Sequence, residues 1–344
     1  MEQFQQLSAA YVVWRVISST LQYSKKAHTL KLRSGDANSR AERSAAHFPD
    51  KWLNCQGLSL HFRTWLPAGC DCDSPKGTAP TAVVFIAHGF GEHGGRYEHL
   101  ARVLTTTLGV AVFCLDHQGH GASEGERAHV ENFEDFSSDF LAHAQAMLRQ
   151  RGRTWQEIPC FLLGHSMGGA IALQAALRAQ ATGEVTLAGV AVSGPLLALD
   201  PQAASPPLKA VARVLGRVLP KLGVTAIDSS LVSRDAAVVE AYDNDPLVYH
   251  GPTRAGLGLG ILEVVEQLQS AAHLFELPLL LMHGSADKLC APEGSDAFYR
   301  SASSADKTIK HYEGLFHEIF NEPEREQVIG DLAAWLRARL RSRL

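Results

Sequence analysis

Five runs of consecutive apolar residues recur along this chain, at 81–87, 110–115, 160–163, 187–192 and 277–282, with segments of helical spacing between them. Continuous apolar runs of that length suit strands buried on both faces of a parallel sheet. One earlier stretch follows a different rule. Within 52–66, Leu58, Leu60 and Phe62 alternate with Ser59, His61 and Arg63, the two-residue period of a half-buried antiparallel strand, and turn residues fill 67–80. A final strand is predicted at 308–312. Helices are predicted from near Arg96, over 133–150 (Phe133, Phe136, Phe140 and Met147 share a face) and over 168–179. Strands alternating with helices predict an α/β fold with a mostly parallel, doubly wound sheet, in which ligands gather beyond the carboxyl ends of the strands.

Beyond 192 the pattern breaks. Residues 193–274 hold no good buried strand and several prolines and glycines, so a cap of helices and loops, inserted at about 194–275, is predicted to lie over the pocket. Within it Ser205-Pro206-Pro207 can start a helix with Leu208, Val211, Leu215 and Val218 on one face and Lys209, Arg213 and Arg217 on another. A lid resting on lipid accounts for that stripe; so does a helix packed on the core with a solvated basic face, and periodicity alone favours the latter. Residues 1–47 differ from the rest: basic, serine-rich and acid-poor, with Phe4, Leu7, Tyr11, Trp14 and Leu21 at helical spacing. A transit peptide, a membrane-surface helix and a disordered extension all fit, whereas Glu2 and the lack of a clean apolar centre argue against a secretory signal. The α/β domain with its cap is expected over 48–344.

Bulk properties narrow the field. The 344 residues, 46% hydrophobic and 20% charged, can bury a sizeable core, and no apolar run nears the roughly 20 residues of a membrane-spanning helix. A net charge of −4 argues against a nucleic-acid partner, and the 16 histidines show no metal-binding spacing, so neither metal nor cofactor is expected. Six scattered cysteines, including Cys70 and Cys72 in a loop without a second paired cluster, suit free thiols in a reducing, cytoplasmic setting.

The chemistry sits at the strand ends. Gly164-His165-Ser166-Met167-Gly168 matches the G-x-S-x-G elbow, which turns a strand sharply into a helix and pushes the serine hydroxyl out at the helix N-terminus; an ordinary strand-to-helix turn is the plainer account of the pentapeptide alone. The loop His88-Gly89-Phe90-Gly91-Glu92-His93 offers the backbone N–H of Phe90, which with that of Met167 is assigned to an oxyanion hole. Asp287, at the end of the run 277–282, stands where this fold carries the acid, ahead of Asp296 (within a predicted helix) and Asp306 (before the last strand). His317 follows the last strand and is the base; His311 lies in that strand, and His120 precedes the serine, against the fold's chain order. The glycine-rich segment 116–125 is read as structural support.

These segments, together with Ile227-Asp228-Ser229-Ser230, Asp245-Pro246-Leu247 and Gly284-Ser285-Ala286-Asp287-Lys288-Leu289-Cys290, resemble the monoacylglycerol lipase family of α/β-hydrolases from about Phe48 to the C-terminus. The resemblance implies a monoacylglycerol ester as substrate, fatty acid and glycerol as products, and a lid helix at 207–219 that makes peripheral contact with membranes. It also implies Glu92, Arg96 and Tyr242 at the glycerol end of the pocket, and Cys290 as a thiol near the active site. Phe90 stands where the family commonly has a small residue, and Phe320 where a second histidine is often seen. Two other readings stay open: a lysophospholipase, carboxylesterase or aminopeptidase on the same scaffold, and a hydrolase-fold receptor with negligible turnover.

Overall fold

A computed structural model describes residues 51–70, 79–151, 153–199 and 206–341; the extension expected at 1–47 and Cys72 lie outside the described residues. Strands β1 (Lys51–Leu53), β2 (Ser59–Trp65), β3 (Val83–Ala87), β4 (Ala111–Leu115), β5 (Cys160–His165), β6 (Gly189–Ser193), β9 (Leu279–Gly284) and β10 (Lys307–Tyr312) form one sheet in the order β1-β2-β4-β3-β5-β6-β9-β10. The short β7 (Gly223–Thr225) and β8 (Thr253–Arg254) pair separately. All pairings from β4 through β10 are parallel, while β2 runs antiparallel to β4 and to β1. The chain leaves β3 toward β4 and then returns past β3 to β5. The switch point therefore lies between β3 and β5, where a crevice opens beyond the strand ends.

The fully buried strands send alternate side chains to two cores, as the two-residue period demands. Val83, Phe85 and Ala87 enter one with Phe136 and Phe140 of α2 (Glu134–Gln150) and Ala170 of α4 (Met167–Thr182), which follows the one-turn α3 (Arg153–Glu157). Val84 and Ile86 enter the other with Leu100 and Leu104 of α1 (Glu98–Leu108) and Trp335 of α9 (Arg325–Arg341). The Phe85 and Phe113 rings, both fully buried, stack at 5.2 Å. Each stabilises the fold by about 1.5–3 kcal/mol relative to an exposed ring.

The stretch 52–66 is a hairpin rather than one strand. Asn54 Oδ1 accepts from the N–H groups of Gln56 (3.0 Å) and Leu58 (2.9 Å), a local turn that separates β1 from β2. With β1 and β4 on either side of β2, even His61 of the polar set is buried.

Between β6 and β9 the chain forms α5 (Pro206–Val218), the β7–β8 ribbon, α6 (Ala236–Asn244) and α7 (Ala255–Ala271), and α8 (Pro292–Ser301) follows β9. Leu257, Val264 and Leu268 of α7 join the first core. Leu208, Val211 and Leu215 of α5 face α7 across an apolar cavity of about 410 Å³. Val218, expected on that face, is instead 69% exposed, because it lies four residues beyond the 62%-exposed Val214 and shares its stripe. The basic face is also not simply solvated: Lys209 and Arg213 pair with Glu266, and Arg217 with Glu263, all on α7. No helix among the described residues is long and apolar enough to cross a membrane.

Candidate active site

The elbow is built by backbone contact. Ser166 has φ 54° and ψ −122°, a left-handed conformation that side-chain-bearing residues rarely adopt. What holds it there is the approach of strand to helix: a Cβ on Gly164 would stand 2.2 Å from the Gly168 carbonyl oxygen, and one on Gly168 would stand 2.0 Å from that of Ala87. No larger residue fits either place. Ser166 N–H donates to the Ser193 carbonyl of β6 at 3.0 Å, and its side chain lies at the start of α4, where the helix dipole favours negative charge.

The candidate acid and base come from the ends of β9 and β10. Asp287 Oδ2 accepts from His317 Nδ1 at 2.7 Å and from His283 Nε2 at 3.1 Å, while Oδ1 accepts from the N–H groups of Leu289 and Cys290. Burial alone would raise the Asp287 pKa, but the two imidazoles, His317 foremost, outweigh it and hold the carboxyl well below its usual range. For His317, burial disfavours the cation; Asp287 foremost, then Glu318 and Glu92, overcome that and raise its pKa above the ordinary value. The His165 ring lies 4.7 Å from that of His317 and is pushed down to about 4, by burial and then by His317 itself, so it stays neutral beside the base. The Ser166 hydroxyl is turned toward Cys290 Sγ, at 3.9 Å, and makes no hydrogen bond to the His317 ring. Burial and Asp287 raise the Cys290 pKa well above that of a free thiol, so it is a neutral neighbour.

Phe90 lies in the loop after β3, next to Gly89, where an added Cβ would stand 3.2 Å from that of Ser166, and Met167 is at the first position of α4. The Phe90 ring packs edge-on against His120 and Tyr249. His120 itself is buried and donates from Nδ1 to the Gln118 carbonyl, with a pKa lowered to about 4 chiefly by burial. Asp296 pairs with His311, and Asp306 with Arg339, away from the serine.

Glu92, Arg96 and Tyr242 come together as one buried network. Arg96 donates to both oxygens of Glu318 (2.5 and 2.8 Å) and to Glu92 Oε2 (3.1 Å), and its guanidinium stacks 4.8 Å from the centre of the Tyr242 ring. Glu92 Oε1 accepts from Gly89 N (2.5 Å) and Tyr97 Oη (2.6 Å). Phe320 lies in the second core, with its carbonyl 2.9 Å from His99 Nε2. Three side chains that the sequence did not single out lie around these residues: Glu318 grips Arg96, His283 donates to Asp287, and Glu322 accepts from the N–H of Phe316 beside His317. Glu318 had one available signal, its place next to His317; Glu322 had none.

A parallel sheet with a strained serine on the turn after β5, and an aspartate–histidine pair after β9 and β10, defines an α/β-hydrolase. The chain matches the family described as "Serine aminopeptidase, S33" over residues 78–324. It is 38% identical to monoglyceride lipase of Rattus norvegicus over 290 residues, 84% of this chain and 90% of the rat protein. It is 36% identical to monoacylglycerol lipase of Mycolicibacterium smegmatis over 280 residues, 81% of this chain and 93% of that one. The crystal structure of Paleococcus ferrophilus monoacylglycerol lipase superposes with a TM-score of 0.68 at 30% identity, covering 81% of this chain and 99% of its own. The chain belongs to the monoacylglycerol lipase family of α/β-hydrolases.

Proposed function

We propose that this protein hydrolyses monoacylglycerols to fatty acid and glycerol through an acyl-enzyme on Ser166. The 2.7 Å contact of His317 Nδ1 with Asp287 carries the reading. With Nδ1–H committed to Asp287, Nε2 keeps its lone pair. A rotation of the serine side chain away from Cys290 brings its hydroxyl to that lone pair, and His317 removes the proton as Ser166 attacks the ester carbonyl. The N–H groups of Phe90 and Met167 receive the oxyanion, His317 returns the proton to the departing glycerol, and water releases the fatty acid by the same steps.

The acyl chain runs past Cys290 into the apolar cavity beneath α5. Leu199, which bridges to Cys290, also lines that cavity. Glu92, Arg96 and Tyr242 frame the glycerol end. A phosphate-bearing headgroup needs a cation free to meet it, and Arg96 is already held between Glu318 and Glu92, which favours the uncharged glycerol over a lysophospholipid. Within 207–219, Val214, Val218 and Leu219 form an exposed apolar edge through which the cap meets a lipid surface and makes the enzyme membrane-peripheral.

The test is a fluorophosphonate probe together with hydrolysis rates on monoacyl-, diacyl- and triacylglycerols and lysophospholipids. Labelling at Ser166, monoacylglycerol as the fastest substrate, and loss of both in Ser166→Ala are expected. No labelling of the folded protein would favour a receptor, and faster lysophospholipid cleavage would overturn the substrate.

A further inference from the structure

The loop that carries His317 is fastened to the cap at several points. Glu318 N–H donates to the Val232 carbonyl at 2.8 Å. Ser233 Oγ donates to the Asn321 carbonyl at 3.3 Å. Arg234 donates to Glu322 twice, from its backbone N–H to Oε1 (2.9 Å) and from Nε to Oε2 (2.7 Å), and it pairs with Glu324 as well. The Glu322 carboxylate, fully buried, also accepts from the N–H of Phe316 at 3.2 Å. The residues on either side of His317 are therefore bonded outward: Phe316 to the carboxylate that Arg234 holds, and Glu318 to the cap backbone itself.

The same cap segment continues into the pocket. Ser233 Oγ accepts from Asp235 N–H, Asp235 caps α6, and α6 carries Tyr242, whose ring stacks on the Arg96 guanidinium that grips Glu318. Residues 232–242 thus reach the histidine loop directly at one end and through Arg96 at the other.

We infer that Arg234 and Glu322 are positioning residues: the cap-borne guanidinium fixes the buried carboxylate that sets the backbone of His317, and so holds the imidazole in register with Asp287. This rests on the catalytic role proposed for His317. The physical reason is the cost of a buried charge. Glu322 without Arg234 would keep N–H donors but no counter-ion, and a carboxylate in that state turns toward water, drawing Phe316 with it. A displacement of about 1 Å at a reacting group costs on the order of 10²-fold in rate.

The experiment compares wild type, Arg234→Ala, Arg234→Lys and Glu322→Gln in monoacylglycerol hydrolysis, with kcat, KM and the pH profile of kcat/KM measured below each variant's own unfolding temperature. Arg234→Ala and Glu322→Gln are expected to lose about 10- to 100-fold in kcat with KM changed less than about threefold. Their acid limb should move to lower pH as His317 loosens from Asp287. Of the other groups facing the ring, Glu318 and Glu92 remain, and His165 stays neutral. Arg234→Lys, which keeps the charge, should recover most of the rate. A lowered unfolding temperature with kcat and acid limb unchanged would assign the pair a structural role only and overturn the inference. Should Arg234→Ala fail to fold, Glu322→Gln carries the readout, and a wild-type kcat and acid limb in that variant would overturn the inference equally. Wild-type protein that neither hydrolyses the ester nor takes the probe at Ser166 refutes the esterase reading instead.

Discussion

In the proposed mechanism the turn after β5 and the loop after β10 deliver the two halves of one reaction, and they are held by different physics. Ser166 is held by exclusion: glycines on either side let backbones meet within contacts that no Cβ could share, and its partners lie within a few residues or on the next strand. His317 is held by attraction, through Asp287 some 30 residues earlier and through Glu322, whose cationic partner Arg234 is 88 residues away. A steric constraint cannot be weakened by degrees, whereas a polar tether can. The proposed nucleophile therefore has the fixed backbone of the site, and the proposed base the adjustable one.

Three substitutions sharpen that contrast. The largest effect belongs to His317→Ala, which should lower kcat by on the order of 10⁶-fold while leaving the elbow intact, so that circular dichroism and unfolding midpoint stay near wild type. Next is Asp287→Asn, with kcat expected to fall about 10⁴-fold. The base works only when neutral, so kcat/KM rises with pH through the His317 pKa. Asp287 holds that pKa above the ordinary histidine value. Removing its charge should shift the acid limb to lower pH, and an acid limb left in place would show that Asp287 does not set the His317 pKa. The smallest in free energy is Gly168→Ala on the steric side. Its new methyl would meet the Ala87 carbonyl oxygen at 2.0 Å, and overpacking of this kind costs about 3 kcal/mol, readable as a lowered denaturant midpoint. If Gly168→Ala unfolds at the wild-type midpoint, the elbow is more pliable than the contrast allows.

The same division decides what was legible in the sequence. The buried strands were, because an apolar run is a property of adjacent residues; so was the elbow, because its glycines flank the serine. Asp287 and His317 were readable through their order along an α/β chain. The partition of 52–66 into a hairpin depended on a side-chain oxygen of Asn54 competing for backbone donors, which hydrophobic spacing does not register. Glu322 resembles any surface glutamate until the fold removes it from water and sets Arg234 against it. Lys209, Arg213 and Arg217 were visible as a basic stripe, but the carboxylates that answer them belong to a helix about fifty residues later.

That last pairing bears on how the cap would sense the charge of a lipid surface. Three cations on α5 are set against Glu263 and Glu266, which leaves an excess of about one. Each unpaired basic residue near an anionic leaflet is worth about 1 kcal/mol. Recruitment through this helix should accordingly depend on how readily Val214, Val218 and Leu219 find gaps between headgroups, and only weakly on the fraction of acidic phospholipid or on added salt.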